Sequence, residues 1–169
     1  RLLNITPDHL TRHGGMEGYV AAKQKIFANP KENTTAIVGI DDDYCRHILE
    51  FVHYSKVVKF SGKEVPENGI GWYENKLIDN RENQFRIVRE NVPELDGDHN
   101  RQNIAAAYAA CVANGINSEI FKEGLATFSG LEHRQEFVKS INGVQYVNDS
   151  KATNADSVEQ ALKRFENIS

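Results

Sequence analysis

Hydrophobic and polar positions along the chain follow two rhythms that alternate with one another. Leu2 to Ile5 is a short apolar run cut off by Pro7, which reads as the end of a strand. The Gly14-Gly15 pair marks a turn, and helical spacing then runs from about Glu17 to Ala28. Thr34 to Ile40 is continuously apolar or β-branched, the pattern of a strand buried on both faces. Asp41-Asp42-Asp43 offers caps for a helix reaching about Tyr54, and Val57 to Phe60 predicts the next strand. Strand and helix signals in alternation predict an α/β fold with a parallel sheet.

Between Gly69 and Val92 the rhythm changes. Gly71-Trp72-Tyr73, Leu77-Ile78 and Phe85-Arg86-Ile87-Val88, separated by tight-turn residues, predict a small antiparallel insert. From Asn100 to Ala113 a helix rich in small residues, Ile104 to Ala110, can approach a sheet closely, and Gly115 stops it. Ser118 is expected to cap a helix from Glu119 to about Thr127. A domain boundary is placed at Gly130, dividing the chain into 1–130 and 131–169. Beyond it, Gln135 to Ile141 and Val144 to Val147 form a hairpin about Asn142-Gly143, and a last helix spans about Asp156 to Phe165.

Composition narrows the classes of function. With 169 residues and 40% hydrophobic content the chain can bury a core. A net charge of −4, with no run of Lys or Arg, argues against nucleic acid or a membrane surface as the main partner and leaves a small-molecule substrate. Cys45 and Cys111 are far apart and lack metal-ligand spacing, so neither a disulfide scaffold nor a zinc site is expected, and a cytoplasmic setting fits. No apolar stretch approaches the roughly 20 residues of a membrane span.

The densest chemistry lies in Asn148-Asp149-Ser150-Lys151-Ala152-Thr153-Asn154, where a strand hands over to a helix. Asp149 can accept from sugar hydroxyls, Lys151 can neutralise a carboxylate or phosphoryl group, and Ser150, Thr153 and Asn154 can cap the helix. A capped turn with no ligand uses the same residues. At the other end, Asp8 and His9 follow a strand, the position at which α/β sheets collect ligands; a capping or core histidine is the alternative. Lys23 follows Ala21-Ala22, small residues that let its helix approach neighbours and desolvate the amine, against the alternative of a solvated lysine like Lys25. Asn100 and Asn103, three residues apart and so on one helix face, offer the donor–acceptor pairing an adenine edge needs, although N-capping would account for Asn100. Arg134 carries a planar charged fork suited to phosphate or ribose across a cleft, or else lies on the surface. Asp41 to Asp43 could hold a metal, but a solvated helix cap is the simpler reading. His13, His47, His53 and His133 read as structural or solvated.

ITPDH (5–9), YVAAK (19–23), DGDHNRQN (96–103), FSGLEHR (128–134) and NDSKATN (148–154) resemble, in this order, the motifs of the Mur ligases. The resemblance covers essentially the whole chain, and NDSKATN is similar to the branch that adds D-glutamate. Folylpolyglutamate synthetases share the architecture, but NDSKATN sets this chain apart from them. The resemblance implies part of the parallel-sheet central ATPase domain over 1–130, with its antiparallel insert, followed by the first βα part of a Rossmann-like C-terminal domain over 131–169. It also implies ATP, Mg²⁺ or Mn²⁺, UDP-N-acetylmuramoyl-L-alanine and D-glutamate as ligands. The Gly-rich phosphate loop ending in Gly-Lys-Ser/Thr does not occur in this sequence. The chain is therefore expected to be an inactive piece that needs the remaining parts of a ligase, or a non-catalytic nucleotide-binding remnant or interaction module.

Residue by residue, the resemblance assigns His9 to metal and substrate and Lys23 to the metal as a carbamate. It places Asn100 and Asn103 at adenine, and Arg134 and Asp149 at the nucleotide. Lys151 and Thr153 fall to the incoming D-glutamate.

Overall fold

The structure is a computed structural model describing residues 1–7, 10–83, 86–90, 98–128, 130–153, 155–162 and 165. Its first part is a five-stranded sheet in the order β1 (Thr35–Gly39), β2 (Lys56–Phe60), β3 (Gly69–Tyr73), β4 (Lys76–Asp79), β5 (Arg86–Glu90). The first three run parallel, and β4 and β5 each pair antiparallel with the strand before. Leu2 extends the parallel edge: its amide donates to Ile37 (2.9 Å) and its carbonyl accepts from Gly39 (2.9 Å). The expected antiparallel segment is thus continuous with the main sheet. Its β3–β4 hairpin projects past the end of β2, since Phe60 is level with Ile70 near the start of β3.

Alternation along the strands divides the core between two faces. Ile37, Val58, Phe60, Ile70, Trp72 and Leu77 pack against α4 (Asp98–Ala113) and α5 (Ser118–Ala126). Ala36 and Val38 point the other way, toward Cys45 and Ile48 of α3 (Asp43–Glu50), and Leu2, Ile5 and Phe27 join them. β1 is therefore covered on both faces, as its unbroken apolar run predicts. On α4 the buried stripe contains Ala105, Ala106 and Ala109, whose methyls allow the helix to sit close to the sheet. Gly39 serves the same end: a Cβ there would collide with the Leu3 carbonyl, so the 1–3 segment can lie against β1 only because that side chain is missing.

Several boundaries differ from expectation. A short α1 (Leu10–His13) fills a stretch read as loop, and α2 (Met16–Gln24) tightens into a 3-10 turn (Lys25–Phe27) before Ala28. α3 stops at Glu50, short of Tyr54. α5 is capped by Asn117, whose side chain accepts from Ile120 N (3.0 Å), rather than by Ser118. α4 begins at Asp98, so Asn100 lies inside its first turn and is not its cap. The hairpin of β6 (Glu136–Ile141) and β7 (Val144–Asn148) turns at Asn142-Gly143, both with positive φ, and α6 (Ala155–Leu162) follows.

One buried ion pair locks the far side of the sheet to α4. Asp79 is 1% exposed; Arg81 Nε (2.8 Å) and an Arg81 terminal nitrogen (2.6 Å) donate to its two oxygens, and Tyr108 Oη donates to it from α4 (3.2 Å). Burial works to raise the Asp79 carboxyl, but the hydrogen bonds and charge of Arg81 outweigh it and hold the group below the usual carboxylate range. A carboxyl depressed by folding contributes stability that is complete above its unfolded titration, near pH ~4, and that is lost as pH falls through the folded value. Asp79→Asn is expected to cost about 3 kcal/mol at pH 7, because it leaves the Arg81 charge half-buried and unpaired. The difference from the parent should shrink in urea titrations repeated at pH 3, and equal stability of the two proteins at pH 7 would contradict this role for the pair.

Candidate functional site

The carboxyl ends of the parallel strands gather a polar network that local sequence does not announce. After β1 the chain runs through Ile40, whose amide donates to Phe60 (3.0 Å), into the three aspartates, and each of these has a different task. Asp42 is the N-cap of α3: Oδ1 accepts from Cys45 N (2.8 Å), and Oδ2 accepts from Ile5 N (3.2 Å). Asp43 is exposed and pairs with Arg46 (3.3 Å). Asp41 neither caps the helix nor stands free for a metal. It accepts a short hydrogen bond from the Ser61 hydroxyl, and others from Gly62 N (2.8 Å) and Gln102 Nε2 (2.8 Å). Ser61 Oγ accepts in turn from Lys63 N (3.0 Å) and Glu64 N (3.1 Å), shaping the β2–β3 loop. Asn4 Nδ2 donates to Gln102 Oε1 (2.7 Å), which brings the end of the first strand segment into the same network.

The first turns of α4 stand over this network. Asn100 is half-buried and Asn103 exposed, while Gln102 faces inward at 7% exposure. On the other flank, Trp72 Nε1 donates to the Arg101 carbonyl (2.8 Å), and the Arg101 guanidinium lies 5.7 Å over the Trp72 ring and donates to Asn75 (2.9 Å). Asn100 and Asn103 thus sit on a helix start held from two sides.

Lys23 lies on α2, where its ammonium stands 5.2 Å from the centre of the Tyr19 ring. The side chain is exposed, as is that of Lys25, so the desolvation expected from Ala21-Ala22 is not present here; Ala21 is itself exposed. The Cys45 thiol is buried, and its pKa is pushed far up, first by burial and then by the charge of Asp42, with Lys23 pulling weakly the other way. His9 and its neighbour Asp8 lie outside the described residues. Among the described residues no group of three or more His, Cys, Asp or Glu is placed to hold a metal ion.

A second cluster forms where β7 ends. His133 and Gln135 both take positive φ, bending the chain ahead of β6 so that its backbone meets the turn after β7. Gln135 N donates to Asp149 Oδ1 (3.2 Å) and Lys151 N to the His133 carbonyl (3.1 Å). Glu136 accepts from His133 N (2.9 Å) and Asn148 Nδ2 (3.2 Å), and Asn148 Oδ1 accepts from Ser150 N (3.1 Å). Ser150 therefore belongs to the turn rather than to a cap of α6. Arg134, flanked by the two bent residues, is brought to the same loop cluster as Asp149 and Lys151, with Arg134, Lys151 and Thr153 exposed. Asn154, the residue before α6, is outside the described set.

The structure thus groups Arg134, Asp149 and Lys151, sets Asn100 and Asn103 on one helix start, and leaves Lys23 on a third element. Sequence reasoning passed over Asn4, Ser61 and Gln102 and misjudged Asp41. A usable signal existed for Gln102: with Ala105, Ala106 and Ala109 it completes an i, i+3, i+4, i+7 stripe, and an amide on an otherwise apolar stripe needs buried partners.

Comparison with known proteins bears on the family and the fold. Residues 2–111 match the family described as the Mur ligase middle domain. UDP-N-acetylmuramoylalanine--D-glutamate ligase of Rhodospirillum rubrum is 45% identical over 172 residues, covering 99% of this chain and 36% of that protein. The ligase of the same name from Rickettsia prowazekii is 41% identical over 170 residues, covering 99% of this chain and 38% of that one. The chain therefore spans little more than a third of the length of these relatives. Among solved structures, MurF from Acinetobacter baumannii has the same fold, with a TM-score of 0.74 over 98% of this chain and 37% of that one at 23% identity. A parallel sheet extended by an antiparallel pair, with its polar network at the strand ends, and a family match over 2–111 lead to one conclusion: the chain belongs to the Mur ligase family.

Proposed function

We propose that this chain is the part of an ATP-dependent, cytoplasmic D-glutamate-adding ligase that holds adenine and ribose and begins the amino-acid site, with 1–130 in the central domain and 131–169 opening the C-terminal one. The observation that carries this reading is identity of 41–45% over 99% of the chain to ligases named for joining UDP-N-acetylmuramoylalanine and D-glutamate. In the reaction, an oxygen of the alanine carboxylate of UDP-N-acetylmuramoyl-L-alanine attacks the γ-phosphorus of ATP and ADP leaves, giving an acyl phosphate. The amine of D-glutamate then adds to the acyl carbon, loses its proton and expels inorganic phosphate, forming the amide of a peptidoglycan precursor. Splitting the condensation this way exchanges a poor leaving group for a good one.

The parts that the family resemblance gives these residues suit their chemistry. Asn100 and Asn103 offer amides to the adenine edge, Asp149 accepts from ribose hydroxyls, and Arg134 beside it presents its fork to phosphate. Lys151 and Thr153 donate to the carboxylates of D-glutamate. The Lys23 amine is reachable by dissolved carbon dioxide, and its carbamate, together with His9, would hold Mg²⁺ or Mn²⁺; the described residues supply no other ligand set. A divalent cation there would offset the negative charge that phosphate and carboxylate oxygens bring together. The phosphate grip and the UDP-sugar site fall to the remaining parts of the ligase chain.

In the full-length ligase, Lys23→Ala is expected to lower activity by more than about 100-fold, the upper end of what losing a mere supporting group of a metal site costs. Acetate or formate should restore part of it by occupying the carbamate's place, and Lys25→Ala should change little. Equal losses at the two lysines, or no rescue at any carboxylate concentration, would count against the assignment.

Asp149→Ala should weaken ATP, whereas Thr153→Ala should chiefly raise the KM for D-glutamate. Loss of a neutral hydrogen bond costs about 0.5–1.5 kcal/mol and of a charged one about 1.5–3, so the effects should range from roughly threefold to over a hundredfold. Steady-state kinetics with each substrate varied in turn decides the matter, and a Thr153→Ala enzyme altered only in its ATP dependence would show the division to be wrong.

A further inference from the structure

α4 is keyed to the sheet farther along by Ile104 and Tyr108, whose hydroxyl donates to Asp79, but among the described residues its first turn, before Ile104, carries no large buried apolar side chain. The methyls of Ala105, Ala106 and Ala109 give contact area but few ridges, so they add little to the phase of that first turn. What fixes the phase of its first turns is directional. Trp72 and Asn75 hold Arg101 on one flank, and on the other the buried Gln102 carboxamide bonds Asn4 and Asp41 together. The two Gln102 bonds have opposite polarity, since its oxygen accepts from Asn4 while its nitrogen donates to Asp41, and only a carboxamide of this length supplies both. Asp41 is itself fixed by Ser61 and Gly62, so the anchor is rigid on the sheet side. Asn4 lies five residues before His9 on the same segment, and Asn100 and Asn103 flank Gln102 on α4.

From this geometry we infer that Gln102 is a positioning residue: it locks the helix turn bearing Asn100 and Asn103 to Asn4 and Asp41 at the strand ends, so that the adenine-facing amides keep a fixed placement relative to the sheet. The inference rests on the nucleotide role given to Asn100 and Asn103 above. Gln102 touches no substrate; it acts through its neighbours.

The test is Gln102→Met in the full-length ligase, which preserves length and volume and removes both polar contacts. ADP affinity by titration calorimetry and the separate kinetic constants for ATP and D-glutamate are the readouts. The expected result is a Kd for ADP and a KM for ATP each raised roughly tenfold, in keeping with the sensitivity of bound geometry to ångström-scale misplacement, with the KM for D-glutamate unchanged. Asn4→Ala, which cuts one of the two bonds and leaves Asp41 satisfied, should give a smaller effect of the same kind, and the double variant should fall short of the product of the two, as coupled residues do. If Gln102→Met fails to fold, Asn4→Ala alone carries the decision. Unchanged ADP affinity in a folded variant, or an equal loss at ATP and D-glutamate, overturns the inference while leaving the function intact. Failure of the parent to bind ADP overturns both.

Discussion

A single carboxylate, that of Asp41, is where the end of β1, the β2–β3 loop and α4 are joined. It leaves β1, receives the hydroxyl and amide that begin the β2–β3 loop, and takes the Gln102 amide from α4. Three elements far apart in sequence share one pair of oxygens. Both oxygens are hydrogen-bonded, Oδ1 by Ser61 and Oδ2 by Gly62 and Gln102, which is the condition under which a half-buried carboxylate is tolerated. The first turn of α4 is referred to this point through Gln102, and to β3 through Trp72 and Arg101.

The two halves of the candidate site are built by different means. At the strand ends of the main sheet, side chains bond side chains across long sequence separations. At the end of β7 the backbone does most of the holding: positive φ at His133 and Gln135 turns amides and a carbonyl toward the residues after the strand. The first construction fixes the direction of a helix. The second brings the loop that carries Arg134 beside the loop that carries Asp149 and Lys151.

The elements that depend on local rules were readable in the sequence. The run Thr34 to Ile40 has no polar face, and β1 is indeed covered by helices on both sides; Asn142-Gly143 is a turn because both residues adopt positive φ there. Where local rules compete, the reading slipped. Asn117 and Ser118 are both good caps, and the structure uses the first; Phe51 to Tyr54 is expected as helix although aromatic and β-branched residues favour it weakly, and α3 stops at Glu50. The polar network was hidden for a different reason. Asn4 and Gln102 are 98 residues apart and Gln102 and Asp41 are 61 apart, and no periodicity within a window can report such a pairing. The site residues named from motifs were placed by resemblance, and the fold puts those among the described residues on three separate supports.

Cys45 has a consequence for the chain's chemical reactivity. Oxidants and alkylating reagents attack the thiolate, and here the proton is retained by burial and by the neighbouring Asp42 carboxylate, which caps the same helix. The residue that starts α3 thereby also passivates the thiol beneath it. Of the two cysteines, both unbridged, Cys45 is fully buried and Cys111 on α4 half-buried, so an electrophile that reached either would meet Cys111 first, on the helix that carries the proposed adenine contacts.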